Sequence, residues 1–228
     1  MNVQGYQKLT LLDFPGRTAC TVFTGGCTLR CPFCHNAGLV RTPLAGPNLT
    51  DEVLDYLAKR KGILDGVCVT GGEPLLQPDL EHFLRRVKEM GYAVKLDTNG
   101  THPQRLAGVL ATNLVDYVAM DIKSSPDGYA AATGADVTVS AVTDSLSILR
   151  DSGIPFELRT TAVRGIHTVA DFAAIGQWLG DVPAYFIQRF VDSGQLLGEG
   201  YAAFSPEEME RLLTTVRDYI PSAQLRGM

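Results

Sequence analysis

The sequence predicts an α/β fold, an open partial (β/α)6 barrel of the TIM type with parallel strands. Three observations carry this expectation. Short β-branched and aromatic runs alternate six times with amphipathic helical stretches, and such alternation implies a parallel sheet with right-handed crossovers. Several runs are apolar at nearly every position, as strands covered on both faces are. Polar clusters gather where the runs end, the edge that carries chemistry in parallel α/β folds. Six strands are too few to close an eight-stranded barrel, so the sheet is expected to stay open.

Taken in order, strands are expected at residues 18–24, 66–70, 93–98, 115–121, 156–163 and 184–191. Between them, Thr50 is placed as the cap of a helix with Asp51 and Glu52 in its first turn, anions suited to the positive end of the helix dipole. Pro78 is placed in the first turn of the next helix, with Leu80, Phe83, Leu84 and Val87 inward and Gly91 as the stop. Further helices are expected at 104–111, 141–152 and 169–179. Ser205-Pro-Glu-Glu208 reads as a capping box with proline at the first helical position. The helix it opens turns Met209, Leu212, Leu213, Val216 and Ile220 inward.

The 228 residues suit one domain, with a core at about 12–191 and a C-terminal helix at about 205–220. Hydrophobic content of 45% and charged content of 20% fit a protein with a sizeable core. No apolar run reaches 18 residues, so no membrane span is expected. The first residues lack a signal-peptide core, which places the protein in the cytoplasm. A net charge of −5 argues against a nucleic-acid partner.

The densest chemistry lies in Cys27-Thr-Leu-Arg-Cys31-Pro-Phe-Cys34. Clustered thiols in a reducing compartment read as metal ligands before disulfides, and Pro32 keeps the segment out of a helix. A [4Fe–4S] cluster ordinarily takes four cysteines. Three sulfurs with no evident fourth leave one iron open to another ligand. The alternative is a structural Cys3His zinc site with His35, although adjacent Cys34 and His35 would strain to reach one small ion. Cys20 and Cys68 lie within apolar runs and are assigned to the core.

The other strand ends add polar groups. Gly71 and Gly72 permit positive φ and close ligand approach, and Glu73 beside them suits an ammonium group; a plain turn is the alternative. Asp97-Thr98-Asn99-Gly100 closes the third strand, where Asn-Gly is also an ordinary turn signal. Asp121 and Lys123 share a face and could equally be a rim salt bridge. Arg159 is costly to bury without an anion. Together these groups suit a zwitterionic amino acid chelating the open iron, and S-adenosylmethionine is one that also carries a reducible sulfonium.

On the C-x3-C-x2-C loop followed by Gly71-Gly72-Glu73-Pro74, the sequence resembles the radical S-adenosylmethionine superfamily over about residues 12–191. Cys34-His35-Asn36 is similar to the activases of glycyl radical enzymes. Leu12-Asp-Phe-Pro-Gly16 and Phe23-Thr-Gly-Gly-Cys27 are similar to the activating proteins of anaerobic ribonucleoside-triphosphate reductase. The Asp-Thr-Asn-Gly and Asp-x-Lys motifs also occur in the pyruvate formate-lyase activating branch.

The resemblance implies a [4Fe–4S] cluster on Cys27, Cys31 and Cys34. It implies S-adenosylmethionine with its adenine beside Phe33 and its ammonium at Gly71, Gly72 and Glu73. Asp97, Thr98, Asp121 and Lys123 match positions near the methionine carboxylate, where the formate-lyase branch also holds a monovalent cation, and Arg159 matches a further arginine. The implied reaction is reductive cleavage of S-adenosylmethionine to a 5′-deoxyadenosyl radical, which takes hydrogen from a glycine of a partner glycyl radical enzyme. A flavodoxin or ferredoxin would donate the electron, and no side chain need act as acid or base. Gln188-Arg189-Phe190 stands where the formate-lyase branch has a histidine. The rival readings are a small-molecule enzyme such as a 7-carboxy-7-deazaguanine synthase, a pyruvate formate-lyase-type activase, and a zinc-stabilised binding module. His82, His102 and His167 are read as non-catalytic, while His35 and Asn36 fit either ligand orientation or loop support.

Overall fold

The computed structural model describes residues 1–43, 48–192, 194 and 196–228. Among the described residues eight strands form one sheet in chain order. β1 (Val3–Thr10) runs antiparallel to β2 (Ala19–Thr24). β3 (Gly66–Gly71), β4 (Ala93–Thr98), β5 (Tyr117–Asp121), β6 (Phe156–Ala162), β7 (Tyr185–Arg189) and β8 (Gln224–Arg226) follow in parallel. Among the described residues β1 and β8 do not pair with each other, so the sheet stays open.

The six expected strands are β2 to β7, and the count of six is corrected to eight. β1 was not expected because its sequence, VQGYQKLT, is polar and has three consecutive exposed residues. Apolar patterning is weak where a strand has a neighbour on one side and water near the other. β8 has only three residues, too short for any periodicity. The result is a parallel sheet with an antiparallel edge, a common arrangement in large sheets.

Helices cover the outer face. They are α1 (Ala37–Val40), α2 (Thr50–Ala58), α3 (Leu80–Glu89), α4 (Pro103–Leu110), α5 (Tyr129–Thr133), α6 (Val139–Asp151), α7 (Val169–Leu179) and α8 (Pro206–Arg217). Ser205 and Glu208 form the expected capping box of α8, and Thr168 and Asp171 form a second one on α7. Thr50 is the first residue of α2 rather than its cap, and its hydroxyl donates to the Met1 carbonyl. Pro78 lies just before α3, which begins after Asp79. Gly91 ends that stretch at φ +93°, where a β-carbon would be strained.

Strand alternation sorts the side chains into two environments. Val22, Val69, Leu96, Met120, Leu158 and Ile187 are fully buried and join the helices in one apolar cluster. Residues of opposite parity, in register across the strands, include Thr21, Cys68, Lys95, Asp97, Asp121 and Arg159. Cys68 is buried as expected, but its thiol lies 3.8 Å from the Lys95 Nζ and 3.7 Å from Asp97 Oδ1. It belongs to the polar interior rather than to the apolar core. Among the described residues no helix is long and apolar enough to cross a membrane.

The capping box predicts a measurable stability effect. Ser205→Ala removes the acceptor for the Glu208 N–H and should cost about 1 kcal/mol. That corresponds to a fall of about 2–4 °C in Tm for a domain of this size, read by thermal unfolding.

Candidate active site

A cavity of about 400 Å3 opens at the C-terminal edge of the parallel strands. Five strand ends converge on it. Cys27, Cys31, Phe33 and Cys34 enter from the loop after β2, Gly71 and Gly72 from β3, and Asp97 and Thr98 from β4. Asp121 and Lys123 come from the end of β5, and Arg159 from β6. Of the site residues expected from the sequence, Glu73 alone does not line this cavity.

The cysteine loop follows β2 and is tied down by segments far along the chain. The Arg30 N–H donates to the Thr133 carbonyl at 2.8 Å, and the Gly198 N–H donates to the Pro32 carbonyl at 2.8 Å. Asn36 donates from Nδ2 to the Gly71 carbonyl at 3.2 Å, which makes it a support of the loop. Gly134 sits at φ +57°, and a β-carbon there would lie 2.5 Å from the Arg30 carbonyl oxygen, so the approach requires glycine. The His35 ring packs against Phe190 with centroids 5.5 Å apart.

The donor set suits an iron–sulfur cluster. Three soft sulfur donors share one cavity, as Fe–S ligation requires. Among the described residues no three His, Cys, Asp or Glu side chains gather closely enough for a single metal ion, as a tetrahedral zinc site would need. Burial pushes the Cys31 thiol up to about 11 and raises that of Cys27, so binding a metal centre there would release protons.

The turn after β3 crosses the root of the cysteine loop. The Glu73 N–H donates to the Gly26 carbonyl at 2.8 Å. A β-carbon on Gly72 would lie 2.0 Å from that same carbonyl oxygen. The Glu73 carboxylate is fully buried in the joint between β3 and β4. Oε1 accepts from the Leu75 N–H at 3.0 Å and the Thr98 hydroxyl at 2.9 Å, while Oε2 accepts from the Asn99 N–H at 2.8 Å. Three of the carboxylate's roughly four acceptor sites are thus used inside the protein. Burial raises Glu73 to about 7, against the opposing pull of these three hydrogen bonds.

A charge network lines the cavity floor. Arg159 donates from Nε to Asp121 Oδ1 at 2.8 Å and from both terminal nitrogens to Asp97 Oδ2 at 3.2 Å. Lys123 donates to Asp121 Oδ2 at 2.9 Å, and Lys95 pairs with Asp97 Oδ1. Burial disfavours charge on Asp97, Asp121, Lys123 and Arg159. Even so, Arg159 and Lys95 hold the Asp97 carboxyl below its ordinary value, and Arg159 and Lys123 do the same for Asp121. Asp121 and the nearby Cys31 thiol hold Lys123 above its own. Arg159 also lies 4.0 Å from Glu157, which pairs with Arg226, and Asp13 lines the same cavity, so cations and carboxylates are balanced around the site. The Lys123 ammonium lies close enough to act on the Cys27 and Cys31 thiols and is suited to an anionic ligand group.

Phe33 is buried and packs edge-on against His167, with centroids 6.2 Å apart. His167 accepts the Val163 N–H at Nδ1 and lies 2.9 Å from the Lys123 carbonyl through Nε2. It is a hydrogen-bonded core residue, and burial lowers its pKa. Gln188, from the segment without the histidine, lines the cavity. Sequence reasoning missed Lys95, which is 1% exposed. Its signal was a lysine inside an apolar strand, two residues before an aspartate on the same face.

The profile of the Radical SAM superfamily matches residues 21–178. A relative in Methanocaldococcus jannaschii, named as a glycyl-radical enzyme activating enzyme, is 30% identical over 196 residues, covering 82% of this chain and 79% of its own. The pyruvate formate-lyase-activating enzyme of Clostridium pasteurianum is 37% identical over 58% of this chain. The 7-carboxy-7-deazaguanine synthase of Methanopyrus kandleri is 31% identical over 56%. The chain spans 57% and 56% of those two relatives. Among solved structures, Streptococcus suis SuiB bound to S-adenosylmethionine superposes with a TM-score of 0.69 at 13% identity, covering 89% of this chain and 48% of SuiB; at that identity the likeness is one of fold.

Two outcomes follow from the geometry. Arg159→Met leaves the buried Asp97 and Asp121 short of a partner, and should lower the unfolding free energy in denaturant by about 3–5 kcal/mol. For Glu73, the folded value of about 7 lies above the ordinary 4.5. Its contribution to stability is therefore full below pH 4.5 and is lost as pH rises through 7. Thermal midpoints of the cluster-free protein should show this decline between pH 4.5 and 7, and Glu73→Gln should abolish it.

Proposed function

The chain belongs to the radical SAM superfamily, and from that premise we propose that it is an activating enzyme that generates a glycyl radical on a partner protein, with anaerobic ribonucleoside-triphosphate reductase as that partner. The observation that carries the reading is the meeting of three thiols and an Asp–Lys–Arg charge network in one cavity. The likeness to a glycyl-radical enzyme activating enzyme over 82% of the chain supports the partner class, as does Cys34-His35-Asn36.

Cys27, Cys31 and Cys34 would hold a [4Fe–4S] cluster, leaving one iron for the amine and carboxylate of S-adenosylmethionine. Bound together, the two cofactors supply one-electron radical chemistry. The protein's own part is position and electrostatics. Lys123 and Arg159, held in place by Asp97 and Asp121, favour the methionine carboxylate, with Thr98 beside it. The backbone of Gly71 and Gly72 lets the methionine end approach closely, and Phe33 offers an apolar wall to the adenine. Holding the sulfonium beside the cluster is catalysis by proximity. A flavodoxin or ferredoxin in the cytoplasm would supply the electron.

A small-molecule substrate is the second reading, favoured by the likeness to a 7-carboxy-7-deazaguanine synthase. Anaerobically reconstituted protein, reduced and given S-adenosylmethionine, separates the two. A glycine-centred doublet in electron paramagnetic resonance, appearing only when the reductase is added, supports the activase. Turnover of a purine precursor with no such doublet overturns it. Cys31→Ala should abolish the cluster, read as loss of the four irons and of the brown absorbance. Lys123→Met should keep the irons but weaken S-adenosylmethionine binding about ten- to a hundredfold, the loss of one interaction with a charged group.

A further inference from the structure

The three cluster cysteines do not have equivalent surroundings. Among the described residues, Cys27 is the one whose sulfur receives N–H donors, from the Leu29 backbone at 3.4 Å and from Asn99 Nδ2 at 3.8 Å. The first is local to the loop. The second comes from the end of β4, 72 residues away, and its direction is set by a chain of hydrogen bonds. Asn99 Oδ1 accepts from both the Thr101 N–H at 3.0 Å and the Thr101 hydroxyl at 2.7 Å. With the oxygen so engaged, the amide nitrogen is the end left to face the sulfur. The Asn99 backbone N–H is held in turn by the Glu73 carboxylate at 2.8 Å. Glu73 therefore acts on the cluster loop through Asn99.

We propose that Asn99 tunes the reduction potential of the cluster by donating a hydrogen bond to the Cys27 thiolate, with Thr101 and Glu73 as the positioning residues that aim it. The physical basis is charge. Reduction adds one electron to the cluster, part of whose density falls on the sulfurs, and an N–H aimed at a sulfur stabilises the more negative state. The donor raises the potential and makes the cluster easier to reduce. Asn-Gly at this position is therefore more than a turn. Its asparagine couples the Gly-Gly-Glu turn to the electron-accepting centre.

The inference rests on a cluster bound by Cys27, Cys31 and Cys34, and iron content tests that premise separately. The deciding measurement is a redox titration of reconstituted protein, followed by electron paramagnetic resonance of the reduced cluster. Asn99→Asp keeps the acceptor for Thr101 but replaces the donor with an oxygen. Asn99→Leu removes both. Each should retain four irons and shift the midpoint negative by at least a tenfold change in the reduced-to-oxidised ratio, about 59 mV for a one-electron couple. The Asp variant should shift at least as far as the Leu variant. Wild-type protein labelled with 15N-asparagine should also show a 15N coupling to the reduced cluster, which the Leu29 N–H cannot supply. A midpoint equal to wild type in an iron-replete Asn99 variant overturns the proposal. If neither variant takes up iron, absence of the 15N coupling in the labelled wild type does so.

Discussion

Arg159 reaches across β6, β5 and β4 to two carboxylates on its neighbours, and the concave side of this sheet is organised around that fork. A closed barrel fills its interior with layers of branched apolar side chains. This open sheet instead places Lys95, Asp97, Asp121 and Arg159 there, on strands whose other face is apolar. Such groups are tolerable away from water only while each charge keeps a partner of opposite sign with good geometry. A guanidinium with both terminal nitrogens on one Asp97 oxygen and its Nε on Asp121 meets that condition in a way a lysine could not. Lys123, paired with Asp121, then faces the thiols.

A second constraint acts on the cysteine loop. Eight residues of irregular chain cannot by themselves hold three sulfurs in one arrangement, since so short a loop has few internal hydrogen bonds. The loop borrows order from elsewhere. Gly71 receives Asn36, Gly26 receives Glu73, and Thr133 and Gly198 bind the backbone of Arg30 and Pro32. Every one of these partners lies on a later segment. The cluster loop is thus a joint product of the loops after β3, β5 and β7, consistent with chemistry placed on loops carried by a rigid scaffold.

Glu73 illustrates how a motif can act at one remove. The resemblance places it at the ammonium of S-adenosylmethionine. In the folded chain its carboxylate joins β3 to β4 through Leu75, Thr98 and Asn99. A buried carboxylate with three donors is rigid, and its rigidity passes to the residues that touch the cavity. Electrostatics and packing are not separable here, because the group that shapes the turn also aims the Asn99 amide.

The sequence by itself determined the six parallel strands, the open sheet and the three thiols, because each is written in local order. Apolar runs mark β2 to β7, the Ser205 capping box marks α8, and C-x3-C-x2-C is a spacing along the chain. β1 and β8 were invisible because a polar edge strand and a three-residue strand carry no periodic signal. Which way each polar side chain points was decided only by tertiary structure. Lys95 and Cys68 sit in runs that read as core, yet strand register turns them to the charged interior. Asn99 reads as a turn residue until the fold brings it to Cys27. Hydrogen bonds between residues 25 and 103 positions apart, Glu73 to Thr98 and Thr133 to Arg30, leave no pattern in a single sequence, because their partners meet only once the sheet has formed.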